Sequence, residues 1–88
     1  MGTSYLLTPK IQSVMEKWHR QAETNLRKWG PRSLETMAVV LGEEYGELCR
    51  AILERNYATG TREAIVAELQ DTAAVCIQMA NALSKEAE

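Results

Sequence analysis

An all-α subunit of three helices is the fold class this sequence predicts, and three observations carry it. Apolar residues recur at helical spacing through three long stretches, turn signals at Gly30-Pro31 and Ala58-Thr59-Gly60 separate those stretches, and the last stretch is apolar on two sides. A three-helix monomer cannot cover both sides of its third helix, so the subunit is expected to assemble through a four-helix-bundle core at a two-fold interface. With 88 residues the chain makes one helical domain, 1–88, whose ends at 1–7 and 84–88 are expected to be flexible. A chain of this size buries only about 60–65% of its unfolded surface, which again favours a homodimer or homotetramer.

The first helix is opened by Thr8-Pro9, an N-cap followed by a first-turn proline. Ile11, Met15, Trp18, Ala22, Leu26 and Trp29 then keep one face until Gly30-Pro31 stops the helix. Ser33 caps the second helix, with Glu35 favourably placed in its first turn, and the pattern continues to about Tyr57. Leu34, Met37, Leu41, Tyr45, Leu48 and Ile52 form its predicted core face. Gly42 and Gly46 share a side of this helix, each at a cost of about 1 kcal/mol relative to Ala, and read as a close-packing seam for another helix. Thr61 caps the third helix, which reaches about Leu83. Its main face is Ile65, Leu69, Ala73, Cys76 and Ala80; a second stripe of Ala64, Val75, Met79 and Ala82 is expected to meet a partner chain.

Two sets of acids interrupt this pattern. In Glu43-Glu44-Tyr45-Gly46-Glu47, Glu44 falls about 60° from the centre of the apolar face and Glu47 follows one turn later, so the two line one groove. Glu43 points further outward. In Glu68-Leu69-Gln70-Asp71, Glu68 and Asp71 occupy positions on the second stripe where the pattern calls for apolar residues. Removing a carboxylate from water costs several kcal/mol unless it is paired or bound to metal. Four facing one another would repel. A hard divalent cation offsets that repulsion, and Mg²⁺, with Mn²⁺ as an alternative, takes carboxylate oxygens while bridging to phosphates. The plainer reading is that these are solvated surface acids paired with Arg50, Arg55 or Arg62.

Glu43-Glu44-x-x-Glu47 followed one helix later by Glu68-x-x-Asp71 resembles the signature of the MazG-like all-α nucleoside triphosphate pyrophosphohydrolases. Gly46-Glu47-Leu48 within the first motif and the apolar helix after Asp71 add to the resemblance. The approach Trp29-Gly30-Pro31-Arg32-Ser33-Leu34 is similar to that of the related dCTP-pyrophosphatase branch. The likeness covers about residues 15–83; the chain ends sooner after its third helix than longer members do. It implies a Mg²⁺-dependent hydrolase that converts an NTP or dNTP to its monophosphate and pyrophosphate, with Glu44, Glu47, Glu68 and Asp71 holding the metal. Glu43 and Glu44 are then the catalytic candidates, Glu43 as a further ligand or as the base that orients the attacking water.

Charge is distributed unevenly, and this bears on the substrate. Residues 1–32 hold six basic against two acidic side chains, net +4, whereas 33–88 hold four against ten, net −6. A basic helix beside an acidic, metal-ready one could hold a polyphosphate, with Lys17, Arg27, Lys28 and Arg32 as candidate cations and Trp18 and Trp29 as candidate stacking platforms. Complementary solvated faces would give the same distribution. The overall net charge of −2 argues against a nucleic-acid polymer as partner. No stretch approaches the ~20 apolar residues of a membrane span and no signal-peptide pattern opens the chain, so a soluble, cytoplasmic protein with reduced Cys49 and Cys76 is expected.

Two other classes compete. A non-catalytic helical oligomerisation module would keep the apolar stripes and leave the acids free. A di-iron carboxylate bundle would use Glu16-x-x-His19, although such sites use that motif twice and this chain has one histidine.

Overall fold

The computed structural model describes residues 9–57 and 60–86. Three helices form: α1 Pro9–Trp29, α2 Leu34–Asn56 and α3 Arg62–Glu86. No described helix is long and apolar enough to cross a membrane. The expected Thr8 cap and the segment 1–7 lie outside the described residues.

The punctuation read from the sequence acts as expected at α1 and α2. Gly30 takes φ 72°, a left-handed conformation that glycine adopts without Cβ strain, and its N–H donates to the Leu26 carbonyl at 2.8 Å, ending α1. The Ser33 hydroxyl accepts from the Thr36 N–H at 3.1 Å and starts α2. Gly60 closes the end of α2: its N–H donates to the Glu54 carbonyl, and an added Cβ would lie 2.9 Å from the Arg55 nitrogen and the Glu54 Cβ. Thr61 then accepts from the Ala64 N–H at 3.1 Å. At its far end α3 outruns the sequence expectation. Residues 84–86 are helical rather than a loose end, with Ser84 donating to the Ala80 carbonyl at 2.9 Å and Lys85 placed where a cation complements the negative helix terminus; 87–88 lie outside the described residues.

The helices run up, down and up, and α3 packs against both others while α1 and α2 do not pack on each other. The α1–α3 contact is parallel and is registered by side-chain amides: Gln70 donates to Gln21, Gln21 to Asn25, and Asn25 to Gln78, at 3.1, 2.9 and 3.3 Å. Gln78, only 8% exposed, is the buried polar residue of the core. Among the described residues Ala22, Met37, Ala51, Ala74 and Val75 complete that core, and no large side chain is wholly buried. The result is a flat body of 48 × 41 × 19 Å with a radius of gyration of 15.0 Å, against about 12 Å for a compact domain of this length.

Two expected faces are rotated. In α2 the half-buried and buried positions are Met37, Val40, Leu41, Glu44, Leu48, Cys49 and Ala51, so Glu44 stands near the centre of the face that meets α3 rather than about 60° from it. Leu34, Tyr45 and Ile52, expected in the core, are exposed. In α3 the second stripe turns inward over its C-terminal half: Val75 is buried and Met79 and Ala82 are half-buried within the chain, though Ala64 is exposed, while of the expected main face Leu69, Cys76 and Ala80 are exposed and Ile65 and Ala73 half-buried. The physical reason is that α3 must serve two neighbours at once, so the arc centred near Gln78 turns inward and the opposite arc is left uncovered. Cys76 is accordingly a surface thiol and Cys49 a half-buried one, not two core thiols. At the Gly42–Gly46 seam an added Cβ would meet no other element within 4 Å among the described residues.

Candidate metal centre

Antiparallel packing of α2 on α3 brings the two acidic motifs together. Glu44, Glu68 and Asp71 each offer a carboxylate oxygen, and these oxygens lie within 4.8 Å of one another. Helical spacing explains the pairing on α3, since residues three apart share a side. On α2 the same rule sets Glu47 one turn beyond Glu44, where it borders Glu68 on the rim and remains exposed. Three of the four expected ligands therefore converge tightly, and the fourth stands beside them.

The site is electrostatically uncompensated. Glu44 Oε2 and Glu68 Oε2 are buried without a hydrogen-bond partner, and none of Glu44, Glu68 or Asp71 forms an ion pair among the described residues. Burial pushes the Glu44 carboxyl up, and the charges of Glu47, Asp71, Glu68 and Glu43 push it further in the same direction. Glu68 is raised by burial, then by the charge of Glu47 and a hydrogen bond with it, against a weaker opposing pull from Arg50. Burial and Glu47 also raise Asp71. Arginine-paired surface acids would behave in the opposite way.

A raised carboxyl costs the folded state nothing below the unfolded carboxylate range and costs it progressively more as pH climbs through the raised values. Metal-free protein should therefore lose melting temperature as pH rises above the ordinary carboxylate range because of these three groups, and Mg²⁺ or Mn²⁺ should reverse that trend. Thermal scans across pH with and without cation check this. A cation-independent slope would show that the three acids form no metal centre.

Beside the triad lies a cleft of about 350 Å³, lined by Asn25, Trp29, Arg32, Val40, Glu43, Glu44, Asp71 and Val75. It joins the acids to two of the six residues that sequence reasoning offered for substrate, Trp29 and Arg32. Lys28 reaches the Trp29 ring, its Nζ 4.9 Å from the centroid. Trp18 stands in a separate cleft with Ile11, Met15 and Arg62. Lys17 and Arg27 are exposed on α1, Arg27 about 140° around the helix from the buried Ala22 and so turned away from α3. Asn25 was not foreseen at this cleft. Its signal was present, because Gln21 and Asn25 interrupt the apolar face of α1 at helical spacing, as Gln70 and Gln78 do on α3.

His19 does not join the acids. Its Nε2 is 3.4 Å from a Glu23 carboxylate oxygen on the exposed side of α1, with 64% of its side chain accessible, and the clustered ligands among the described residues are carboxylates alone. Compared with protein-family models, with curated proteins and with solved structures, the chain matches none.

Proposed function

We propose that this chain is a MazG-like, Mg²⁺-dependent nucleoside triphosphate pyrophosphohydrolase, releasing pyrophosphate from an NTP or dNTP. The observation that carries the proposal is the convergence of Glu44, Glu68 and Asp71, with two orphaned buried oxygens, at the edge of a cleft that also holds Arg32. These donors fit the cation: they are hard oxygens, they repel one another, and two of them, Glu44 Oε2 and Glu68 Oε2, are buried without a hydrogen-bond partner. Glu47 would complete the set from the rim. When bound, Mg²⁺ supplies neutralisation of phosphate charge and a lowered pKa for a coordinated water.

The chain's own residues divide the remaining tasks. Glu44, Glu68 and Asp71 project from two helices packed on each other, which sets the spacing at which a ligand would meet them. Glu43 is exposed and lines the cleft, where its carboxylate can accept the proton of an attacking water. Val40 and Val75 form the apolar walls, and Asn25 is fixed by its two amide partners. The working unit in this proposal is a homodimer or homotetramer whose four-helix-bundle core covers the exposed faces of α2 and α3.

A pyrophosphate-release screen over canonical and modified NTPs and dNTPs, run with Mg²⁺ and repeated with a chelator, tests the proposal. Release of pyrophosphate that the chelator stops supports it; no release from any nucleotide by protein shown to bind Mg²⁺ refutes it. The exposed apolar faces favour one second reading, a non-catalytic oligomerisation module. In that case divalent cations should hardly alter thermal stability.

A further inference from the structure

We infer that Arg32 is the phosphate anchor of this cleft, and that it takes the end of a polyphosphate chain remote from the metal-binding carboxylates. Four cations in the basic part of the sequence are candidates for that task, and the structure separates them. Lys17 and Arg27 are exposed along α1, and Lys28 rests over the Trp29 ring. Arg32 alone of the four lines the cleft shared by Glu43, Glu44 and Asp71. Its Nε is buried and has no hydrogen-bond partner, and it forms no ion pair among the described residues despite three nearby acids.

An arginine that lines an acidic cleft without closing an ion pair keeps its donor fork available to an incoming anion. The short connection between α1 and α2 limits its range, and the Trp29 ring, 5.9 Å from the guanidinium carbon, gives it a face to rest on. A guanidinium binds phosphate oxygens in pairs, which an ammonium cannot do, so Arg32 is expected to fix orientation as well as charge. The inference rests on the metal-centre reading, because without a cation the carboxylates would repel the same anion that Arg32 attracts.

Calorimetry with Mn²⁺ alone, and then with inorganic tripolyphosphate added to Mn²⁺-loaded protein, separates the two ideas. In Arg32→Gln, tripolyphosphate affinity should fall by about tenfold or more. Mn²⁺ affinity should hold or tighten, since a positive neighbour of the acids is gone. Arg20→Gln, the same charge change on an exposed part of α1, should leave both unchanged. Arg32→Lys, checked for helicity by circular dichroism, is the second variant and decides the matter if Arg32→Gln does not fold. It keeps the charge, loses the fork and should bind tripolyphosphate more weakly than wild type. Wild type that binds no Mn²⁺ defeats the metal-centre reading and this inference with it. Wild type that binds Mn²⁺ overturns the Arg32 inference alone if it takes up no tripolyphosphate, if the Arg32 variants bind tripolyphosphate as tightly as it does, or if Arg32→Gln loses Mn²⁺ and tripolyphosphate affinity together.

Discussion

Asp71→Asn and Glu44→Gln are expected to cut pyrophosphate release on the order of 100-fold or more while leaving the helical fold intact. Each change keeps side-chain size and removes one charge from a triad whose oxygens lie within 4.8 Å. Cation affinity should fall in parallel, as calorimetry with Mn²⁺ would show. The metal-free variants should melt higher than metal-free wild type, because burial and mutual repulsion both disfavour the ionised triad. Glu47→Gln should act more mildly on activity, since Glu47 stands on the rim. It should nevertheless raise the metal-free melting temperature, because its charge disfavours ionisation of Glu44, Glu68 and Asp71 alike. Glu63→Gln, in the first turn of α3, is the control. Equal hydrolysis of a confirmed substrate by wild type, Asp71→Asn and Glu44→Gln would sink the assignment.

Leu69→Glu is expected to weaken self-association by about 30-fold or more and to yield a helical monomer in light scattering. Leu69 is 39% exposed on the uncovered arc of α3, beside Cys76, Ala80 and Leu83. A second uncovered face runs along α2, where Tyr45 at 62% exposure and Ile52 flank glycines whose added Cβ would meet nothing. Surface of this kind, where no large side chain among the described residues is wholly buried, is what a second copy would cover. Met79→Glu should behave differently. Met79 is half-buried between the helices of one chain, so a charge there should lower stability by a few kcal/mol and disturb folding before it disturbs assembly. Wild type that runs as a monomer at micromolar concentration, or Leu69→Glu that assembles as wild type does, would refute the proposed interface.

The sequence by itself determined the helices and which acids share a side within each. Helix number, the stop at Gly30, the caps at Ser33 and Thr61 and the turn at Gly60 are local chemistry, decided by φ, by hydroxyl acceptors and by the missing Cβ within a few residues. Glu68 with Asp71, and Glu44 with Glu47, were legible as pairs because i, i+3 spacing fixes which side chains share a helix face, whatever the helix packs against; the meeting of Glu44 with Glu68 and Asp71 follows from the antiparallel packing of α2 on α3. The tertiary structure decided which face is inside. A helix apolar on two sides satisfies hydrophobic periodicity in either orientation, so the expectation of Leu69 with Cys76 inside and Val75 with Met79 at a partner chain could be reversed when α1 and α2 took their places on α3. The same packing moved Glu44 to the centre of the α2–α3 contact, left Glu47 on the rim, and selected Arg32 and Trp29 from a wider set of basic and aromatic residues. Those choices depend on distances between helices, which no single helix encodes, and on a ladder of four amides that aligns α1 with α3.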